Sequence, residues 1–309
     1  MSDVSIILVS DYEPGREKSW QDFRKTLDAL SKQEFAGSFE VLLVEEAQYI
    51  DQIPQDIKDS LAGLRIVSST ASNSYALANE GVRKAKADKV ILLDADCIPV
   101  PDWLSRFVET LEQFPEAAVV SGLTRYEGHT LSERCLALLS RSYVDAGKRG
   151  FTNHISNNNA GFRRDVYLRH LLPTESGIFA SRLQSSAILD SGWKLAFEPN
   201  MIVTHDFEGW DMERDIRRST AHGLVVVRQQ NPTLPFSWIV RLGLFGLPIF
   251  FGGRVMQSVW KCLTRAKNYG VKPWEVPYAI ILAVRVHLME IPGAIMALRG
   301  EAITNTSYR

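Results

Sequence analysis

The chain has 309 residues, of which 45% are hydrophobic and 23% are charged, so it can form one large domain or two modest ones around a sizeable core. The 35 basic and 36 acidic side chains leave a formal net charge of -1, and we expect no nucleic-acid partner. The three cysteines share no Cys-x-x-Cys spacing, which is typical of reduced thiols in a cytosolic protein. The N-terminus lacks the basic region and long apolar segment of a signal peptide, so we do not expect export by that route.

Short apolar runs alternate with amphipathic stretches through the first 210 residues. Trp20, Phe23, Leu27 and Leu30 recur at three- and four-residue steps, which predicts one buried helix face. In chain order, we predict strands at 4–9, 39–44, 64–67, 90–93 and 117–120, with helices between them at 20–30 and 75–82 and a further helix at 103–111. This order predicts a mostly parallel, Rossmann-like central sheet flanked by helices.

Two carboxylates, Asp94 and Asp96, directly follow the apolar run at 90–93. Side chains alternate along an extended backbone, so the Asp-x-Asp spacing places both on one side. Carboxylates at the C-terminal end of a buried strand are suited to Mg²⁺ or Mn²⁺, and open α/β sheets bind ligands at that edge. A solvated turn is the alternative for an isolated Asp-x-Asp.

The composition changes after about Trp210, so we predict a first domain at 1–210 and a C-terminal helical region at 211–309. Between residues 237 and 300 there are eight basic residues and two acidic ones, among apolar runs and three tryptophans. No apolar run reaches the ~20 residues of a spanning helix. We therefore expect helices lying in the interface of an anionic membrane; helices packed on the first domain or in a dimer interface are the alternative.

Several segments, taken together and in order, resemble the GT-A domain of family 2 glycosyltransferases. The resemblance covers about residues 4–208. It rests on the first strand and helix and on the segments 39–46, 78–85, 93–104, 157–164, 192–199 and 203–205.

This resemblance implies transfer of a sugar from a nucleotide-diphosphate donor, with Mn²⁺ or Mg²⁺ as cofactor. Asp96 would bind the metal, and Asp94 would contact the ribose or the metal and its water shell. His205 would be a further metal ligand. Glu45 would contact the nucleotide. The other expected substrate-binding residues are Asn79, Asn158, Asn159, Arg163 and Arg164, the asparagines at 158 and 159 for sugar hydroxyls and the arginines for phosphate.

The chain departs from the family where the general base is expected. Counting back twelve residues from Gly192 reaches Ala180, followed by Ser181, and neither can accept a proton at neutral pH. We favour Glu175 as the substitute; the other nearby carboxylates are Asp190, Asp206, Glu208 and Asp211. A retaining mechanism without this base, or a catalytically silent relative that binds a nucleotide sugar or a membrane partner, are the alternatives.

A basic cluster follows the resembling region and consists of Arg217, Arg218, His222 and Arg228. It would close over the diphosphate, hold an anionic lipid headgroup, or form a solvated helix face. The segment lacks the Gln-x-x-Arg-Trp pattern of processive synthases. We therefore expect an enzyme that adds one sugar to a lipid-linked or glycan acceptor, in the cytoplasm and peripheral on the inner face of the cell membrane.

Overall fold

The structure is a computed structural model that describes residues 2–9, 17–128, 130–174, 179–207, 209–232 and 234–302. The chain divides into two compact units. The first unit contains the residues up to 125 and those from 143 to 206, and the second contains residues 126–142 and the residues that follow 206.

The first unit is built on a sheet that has nine strands among the described residues. The strands are β1 (Val4–Val9), β2 (Phe39–Glu46), β3 (Leu64–Ser69), β4 (Lys89–Asp94), β5 (Cys97–Pro99), β6 (Ala117–Tyr126), β7 (Gly150–Thr152), β8 (Asn159–Arg163) and β9 (Lys194–His205). Their order is β3-β2-β1-β4-β8-β6-β9-β5, and β7 pairs with β9. The strands β3, β2, β1 and β4 are parallel, whereas β8 is antiparallel to both β4 and β6.

The parallel strands bring their C-terminal ends to one edge of the sheet. Val9 of β1 pairs with Asp94 of β4, and Leu8 pairs with Leu43 of β2. Asp94 and Glu45 therefore lie at the same edge, with β1 between their strands. This is the edge at which α/β sheets bind ligands.

Apolar side chains of β1 alternate between two cores, one on each face of the sheet. Ile6 and Leu8 pack with the first core, whereas Ile7 and Val9 pack with the second. The helices of this unit are α1 (Glu17–Ser31), α2 (Gln55–Lys58), α3 (Ser74–Lys84), α4 (Trp103–Gln113), α6 (Arg164–Arg169) and α7 (Ala180–Asp190). The predicted apolar face of α1 is buried in the first core, and α3, α6 and α7 contribute to the second.

The second unit is helical. Its helices are α5 (Leu131–Arg141), α8 (Trp210–Gln230), α9 (Ser237–Arg241), α10 (Leu247–Arg265), α11 (Val276–Leu288) and α12 (Ile291–Leu298). The stretch Pro273–Leu298 contains a window with a mean hydropathy of 1.7 and is long and apolar enough to cross a membrane by length and composition alone, which was not expected from the sequence. Of its most apolar window, 44% is buried inside the protein.

Buried charges hold the helices of this unit together. Glu290 is fully buried and accepts two hydrogen bonds from the Arg254 guanidinium, at 2.5 and 2.6 Å. Arg217 of α8 lies 3.6 Å from the same carboxylate and donates to Glu213 at 2.6 Å. Burial alone would raise the pKa of Glu290, but hydrogen bonds from His287 and Arg254 lower it to about 2. Arg217 therefore lies in the interior of this unit, and none of the three roles considered for the basic cluster (closing over the diphosphate, holding a lipid headgroup, or forming a solvated helix face) describes this arginine.

The substitution Glu290→Gln removes the charge that compensates Arg254 and Arg217. We expect it to lower the free energy of unfolding by about 3–5 kcal/mol, as for other broken buried ion pairs. Urea unfolding followed by helical circular dichroism measures this. Glu301→Gln is the matched control, because Glu301 is exposed and lies 3.8 Å from Arg299, so the cost should stay below about 1 kcal/mol.

The Glu290 carboxylate also makes the free energy of unfolding depend on pH. Its folded-state pKa of about 2 is below the ordinary value of 4.5, so its contribution is complete above pH 4.5 and is lost as the pH falls towards 2. Glu290→Gln should lack this part of the acid dependence. Equal losses of stability in the two variants would contradict this role for Glu290.

Candidate active site

The loop that carries the two aspartates is held on both sides by backbone contacts. β4 ends at Asp94 and β5 begins at Cys97. The Ala95 amide donates to the Val9 carbonyl at 3.0 Å, so β1 fixes the turn from one side. The buried Thr26 hydroxyl of α1 lies 2.8 Å from the Ala95 carbonyl and 3.2 Å from the Cys97 carbonyl. These contacts position Asp96 without using its carboxylate.

His205 faces Asp96 because β5 and β9 pair in antiparallel register. Cys97 is opposite His205 in that register, and the His205 Nε2 atom lies 3.2 Å from an Asp96 carboxylate oxygen. Both side chains are largely buried, with 7% and 11% of their surfaces exposed. The sequence prediction that these two residues come together is therefore met by the geometry.

The contact of the other ring nitrogen, Nδ1, determines which nitrogen of His205 carries the proton. His205 Nδ1 is 2.5 Å from the Asp206 carbonyl oxygen, which can only accept a hydrogen bond, so Nδ1 carries the proton. In the neutral ring, Nε2 is then a lone pair aimed at an anionic oxygen. Two acceptors at this distance require a proton or a cation between them.

The donor set fits a hard divalent cation. Adjacent ligands of an octahedral Mg²⁺ or Mn²⁺ ion are separated by about 3.0 Å, given metal–ligand distances of about 2.1 Å. Asp96 and His205 match this separation, and the Asp206 carbonyl is the type of partner that orients a metal-binding histidine. Cys97 completes a group of three ligand atoms within 4.8 Å of one another. Its soft thiol suits such a cation less well than carboxylate or water oxygen.

Asp94 is not part of this group of three ligand atoms. Its side chain is partly exposed at the end of β4. The structure thus separates the two aspartates: Asp96 faces His205, and Asp94 lies at the edge of the sheet beside β1.

A polar cavity of about 410 Å³ lies beside the C-terminal end of β3 and the helix α3. Its lining includes Ser68, Thr70, Asn79 and Arg83. Ser68 pairs with Glu45 of β2, so the cavity is at the same sheet edge as the aspartates. Glu45 itself is 1% exposed, and its carboxylate accepts from the Glu46 amide at 2.6 Å.

Asn79 lines this cavity, but its side-chain amide holds the protein together. It donates to the Leu172 carbonyl at 2.9 Å and accepts from the Leu172 amide and the Tyr167 hydroxyl. These bonds tie α3 to the segment after α6. The geometry gives Asn79 a structural role at the cavity wall, with its carbonyl oxygen and one amide N–H bonded within the protein.

The two asparagines expected to bind sugar are buried and bonded within the protein. Asn159 is fully buried; it accepts from the Trp103 indole at 2.8 Å and donates to the carbonyls of Leu123 and Met201. Asn158 is 4% exposed and lies 3.7 Å from the Cys97 sulfur, next to Asp96. These contacts show both asparagines bonded to neighbouring segments of the protein, a positioning role that differs from the expected contact with the sugar.

The neighbouring Asn157 is the residue that the sequence analysis missed. Both polar atoms of its side chain are buried and, within the described part of the chain, have no hydrogen-bond partner. It precedes β8 at the end where Asn159 pairs with Leu93, beside the aspartates. A run of three asparagines gives no sequence signal for which one is structural, because that depends on which amide faces the core.

Arg163 and Arg164 are at the wrong end of the sheet for the expected phosphate contact. β8 runs antiparallel to β4, so Arg163 pairs with Lys89 at the start of β4, roughly 16 Å of strand from Asp94. Arg163 donates to the Ala117 carbonyl, and Arg164 donates to the last carbonyls of α3, at Val82 and Arg83. The prediction for both arginines is corrected to structural bonding and helix capping.

The carboxylates considered as general base lie in different places. Glu175 and Glu208 fall outside the described residues. Ala180 is fully buried at the start of α7. Asp190 is exposed at the end of α7, and Asp211 belongs to the second unit. Asp206 follows His205 directly, with its side chain 30% exposed and 3.5 Å from Lys25.

The family model for glycosyl transferase family 2 matches residues 16–171. The chain belongs to this family. The match confirms the expected family and the expected class of enzyme, a glycosyltransferase.

Curated relatives and solved structures agree with this assignment. The chain is 24% identical over 199 residues to the glycosyltransferase AglE, and 24% identical over 157 residues to a glucosyl-dolichyl phosphate glucuronosyltransferase, both from Haloferax volcanii. These matches cover 60% and 48% of this chain, and the chain spans 62% and 50% of the length of the two relatives.

Among solved structures, the mannosyltransferase PcManGT from Pyrobaculum calidifontis, in complex with GDP-Man and Mn²⁺, is similar with a TM-score of 0.62 and 17% identity. The similarity covers 97% of this chain and 88% of PcManGT. S. aureus TarS 1-349 with UDP is similar with a TM-score of 0.51 and 12% identity, over 96% of this chain and 90% of TarS. These similarities confirm the GT-A fold.

The substitutions Asp96→Asn and His205→Gln each remove one of the two facing ligand atoms. We expect each to weaken Mn²⁺ binding at least tenfold, measured by electron paramagnetic resonance of free Mn²⁺ during titration. Cys97→Ala should change the affinity less than threefold, because the thiol is a poor ligand for this ion. A tenfold loss in the Cys97 variant with none in the other two would reverse this ligand assignment.

Proposed function

We propose that the protein transfers a sugar from a nucleotide-diphosphate donor to a lipid-linked acceptor at a membrane surface, with Mn²⁺ or Mg²⁺ as cofactor. The observation that carries this proposal is the buried pair of Asp96 and His205, whose facing ligand atoms are spaced to hold a divalent cation, in a chain of glycosyl transferase family 2. A glycan acceptor is the second candidate.

The donor would lie along the C-terminal edge of the parallel strands. The polar cavity beside β3 and α3 is suited to the nucleoside, with Asp94 between it and the facing pair of Asp96 and His205 to accept from ribose hydroxyls or bound water. Asp96 and His205 would hold the cation, which stabilises the charge that develops on a diphosphate leaving group. The neighbours bound to GDP-Man and to UDP support a nucleotide-diphosphate donor.

Asn157 is our proposal for a contact to the donor sugar. An unpartnered buried amide has a cost of about 1–3 kcal/mol unless a ligand or water satisfies it. A sugar hydroxyl both donates and accepts, so it would satisfy either end of the amide. The proposed sugar contact is therefore the residue directly before Asn158 and Asn159, the two asparagines expected from the sequence.

For the acceptor hydroxyl we propose a carboxylate base. Glu175 stays a prediction. Asp206 is the described carboxylate best placed for this role, because its backbone carbonyl bonds to His205 and its side chain is partly exposed next to the Asp96–His205 pair. The Lys25 ammonium group lies 3.5 Å from its carboxylate.

The membrane part of the proposal depends on the second unit. Its surface exposes large apolar side chains, among them Phe245 at 90%, Trp274 at 74% and Trp260 at 67%. Amphipathic aromatic and basic surfaces of this kind bind the interface of anionic membranes. The dolichyl phosphate named in one relative supports a lipid-linked acceptor. We propose a peripheral position on the cytoplasmic face.

The transfer reaction is tested with UDP-, GDP- and dTDP-sugars, with and without Mn²⁺, by following nucleoside diphosphate release and the anomeric configuration of the product. We expect release from one donor class, loss of at least 100-fold in Asp96→Asn, and near-normal release in Asp88→Asn. Asp88 is an exposed aspartate that precedes β4, far from the site. Mn²⁺-dependent donor binding without any turnover would contradict the proposal and favour a silent binder.

The three neighbouring asparagines separate binding from stability. Asn157→Ala should raise the KM for the donor about tenfold and should not lower the free energy of unfolding, since its amide has no partner to lose. Asn159→Ala should lower that free energy by about 2–4 kcal/mol, because it removes bonds to three buried groups. Initial rates and urea unfolding measure the two effects. A raised KM in Asn159→Ala together with a loss of stability in Asn157→Ala would instead assign the sugar contact to Asn159.

A further inference from the structure

A groove of about 770 Å³ lies within the second unit, between α8, α11 and α12. This volume is within the range of ligand pockets, about 300–1,000 Å³. Its wall includes Arg214 from α8, four residues of α11 and Pro292 from α12; those of α11 are Ile281, Val284, Arg285 and Leu288, and Met289 follows them. The groove is therefore mainly apolar but contains two guanidinium groups.

The α11 side chains form one continuous stripe. Ile281, Val284 or Arg285, and Leu288 follow at helical spacing, so they share a face. Ile281 and Leu288 are 68% and 58% exposed, although they are large and apolar. Arg285 lies in the middle of this stripe. A ligand hydrocarbon chain that passes on either side of its guanidinium group would therefore contact apolar side chains.

Helix α8 contacts Arg285 and carries Arg214. The Arg285 guanidinium lies 4.0 Å from the centre of the Trp210 ring, a stacking contact that holds its position. Arg214 is four residues after Trp210 and thus on the same helix face. Its contact with Asp211 at 3.1 Å joins two exposed side chains, so it competes weakly with an incoming anion.

The charge of the surrounding surface selects an anion. Between residues 237 and 300 there are eight basic residues against Glu275 and Glu290. Glu275 is paired with Arg134 at 2.8 Å, and Glu290 is buried against Arg254. Both acids are thus paired with arginines, and the other charged side chains of residues 237–300 are mainly basic. On α8, Asp211 and Asp215 contact Arg214 and Arg218.

We propose that this groove binds an anionic lipid, with its phosphate on Arg214 and Arg285 and its hydrocarbon chain on Ile281, Val284 and Leu288. Guanidinium groups bind phosphate through paired, charge-assisted hydrogen bonds, and the apolar stripe removes the chain from water. The inference rests on the membrane association included in the proposed function. It adds a defined site to what would otherwise be a diffuse attraction.

The test is binding of the full chain to vesicles of phosphatidylcholine with about one tenth phosphatidic acid, measured by co-sedimentation. The groove variant Arg214→Gln/Arg285→Gln is compared with Arg241→Gln/Arg299→Gln, which removes two exposed arginines of the same unit outside the groove. Diffuse attraction is worth about the same for each basic residue, so it would weaken both variants equally. We expect the groove variant to lose at least tenfold more affinity than the control.

Two further measurements identify the occupant. Leu288→Ser keeps both arginines and should still weaken vesicle binding several-fold, because the chain loses apolar contact. Millimolar inorganic phosphate should not displace the protein from vesicles. Displacement by inorganic phosphate would overturn the assignment to a lipid. Circular dichroism of each variant confirms that the helices are intact.

The outcomes separate this inference from the proposed function. Equal losses in the two arginine variants overturn the groove and leave membrane association in place. If the full chain does not bind the vesicles at all, both the groove and the membrane part of the proposal are overturned. Sugar transfer is measured on its own, by nucleoside diphosphate release in solution, and its failure would leave the vesicle result standing.

Discussion

The site depends on one electrostatic constraint: a histidine lone pair and a carboxylate oxygen are held 3.2 Å apart in a largely buried place. The Asp206 carbonyl fixes the ring proton on the other nitrogen, so the ring cannot relieve the repulsion by changing tautomer. A divalent cation bound to both atoms would relieve it. An imidazolium would also relieve it, but a cation held by both groups would add two bonds, and their spacing suits it. The fold would therefore hold both ligand atoms in place before such an ion binds.

The distance between these two atoms is set by the contacts of the backbone around them. Asp96 is in a turn fixed by Val9 on one side and Thr26 on the other, and His205 is fixed by the pairing of β9 with β5. Asn158 reaches the sulfur of Cys97 from a third direction. None of these contacts uses the Asp96 carboxylate or the His205 Nε2 atom. They hold the two side chains so that these atoms face each other.

The sequence was sufficient for the sheet edge and insufficient for the strand direction. Asp94, Asp96 and the buried strand before them predict a metal site from local pattern alone, and His205 adds to it through the family resemblance. The errors at Arg163 and Arg164 have one cause: local sequence does not tell whether β8 runs parallel or antiparallel to β4, and that direction decides which end of the sheet they reach. Asn157 was missed because burial, not residue type, determines which amide of a run is unpartnered.

The second unit combines buried ion pairs with an exposed apolar and basic surface. Glu290 and Glu213 are buried with Arg254 and Arg217, so the interior is stabilised by paired charges. Between residues 237 and 300, eight basic residues stand against two acidic ones, and the surface exposes tryptophans and leucines such as Trp260 and Leu244. Such a surface is costly in water and favourable against an anionic bilayer, because the same side chains that are exposed in solution become buried in the interface.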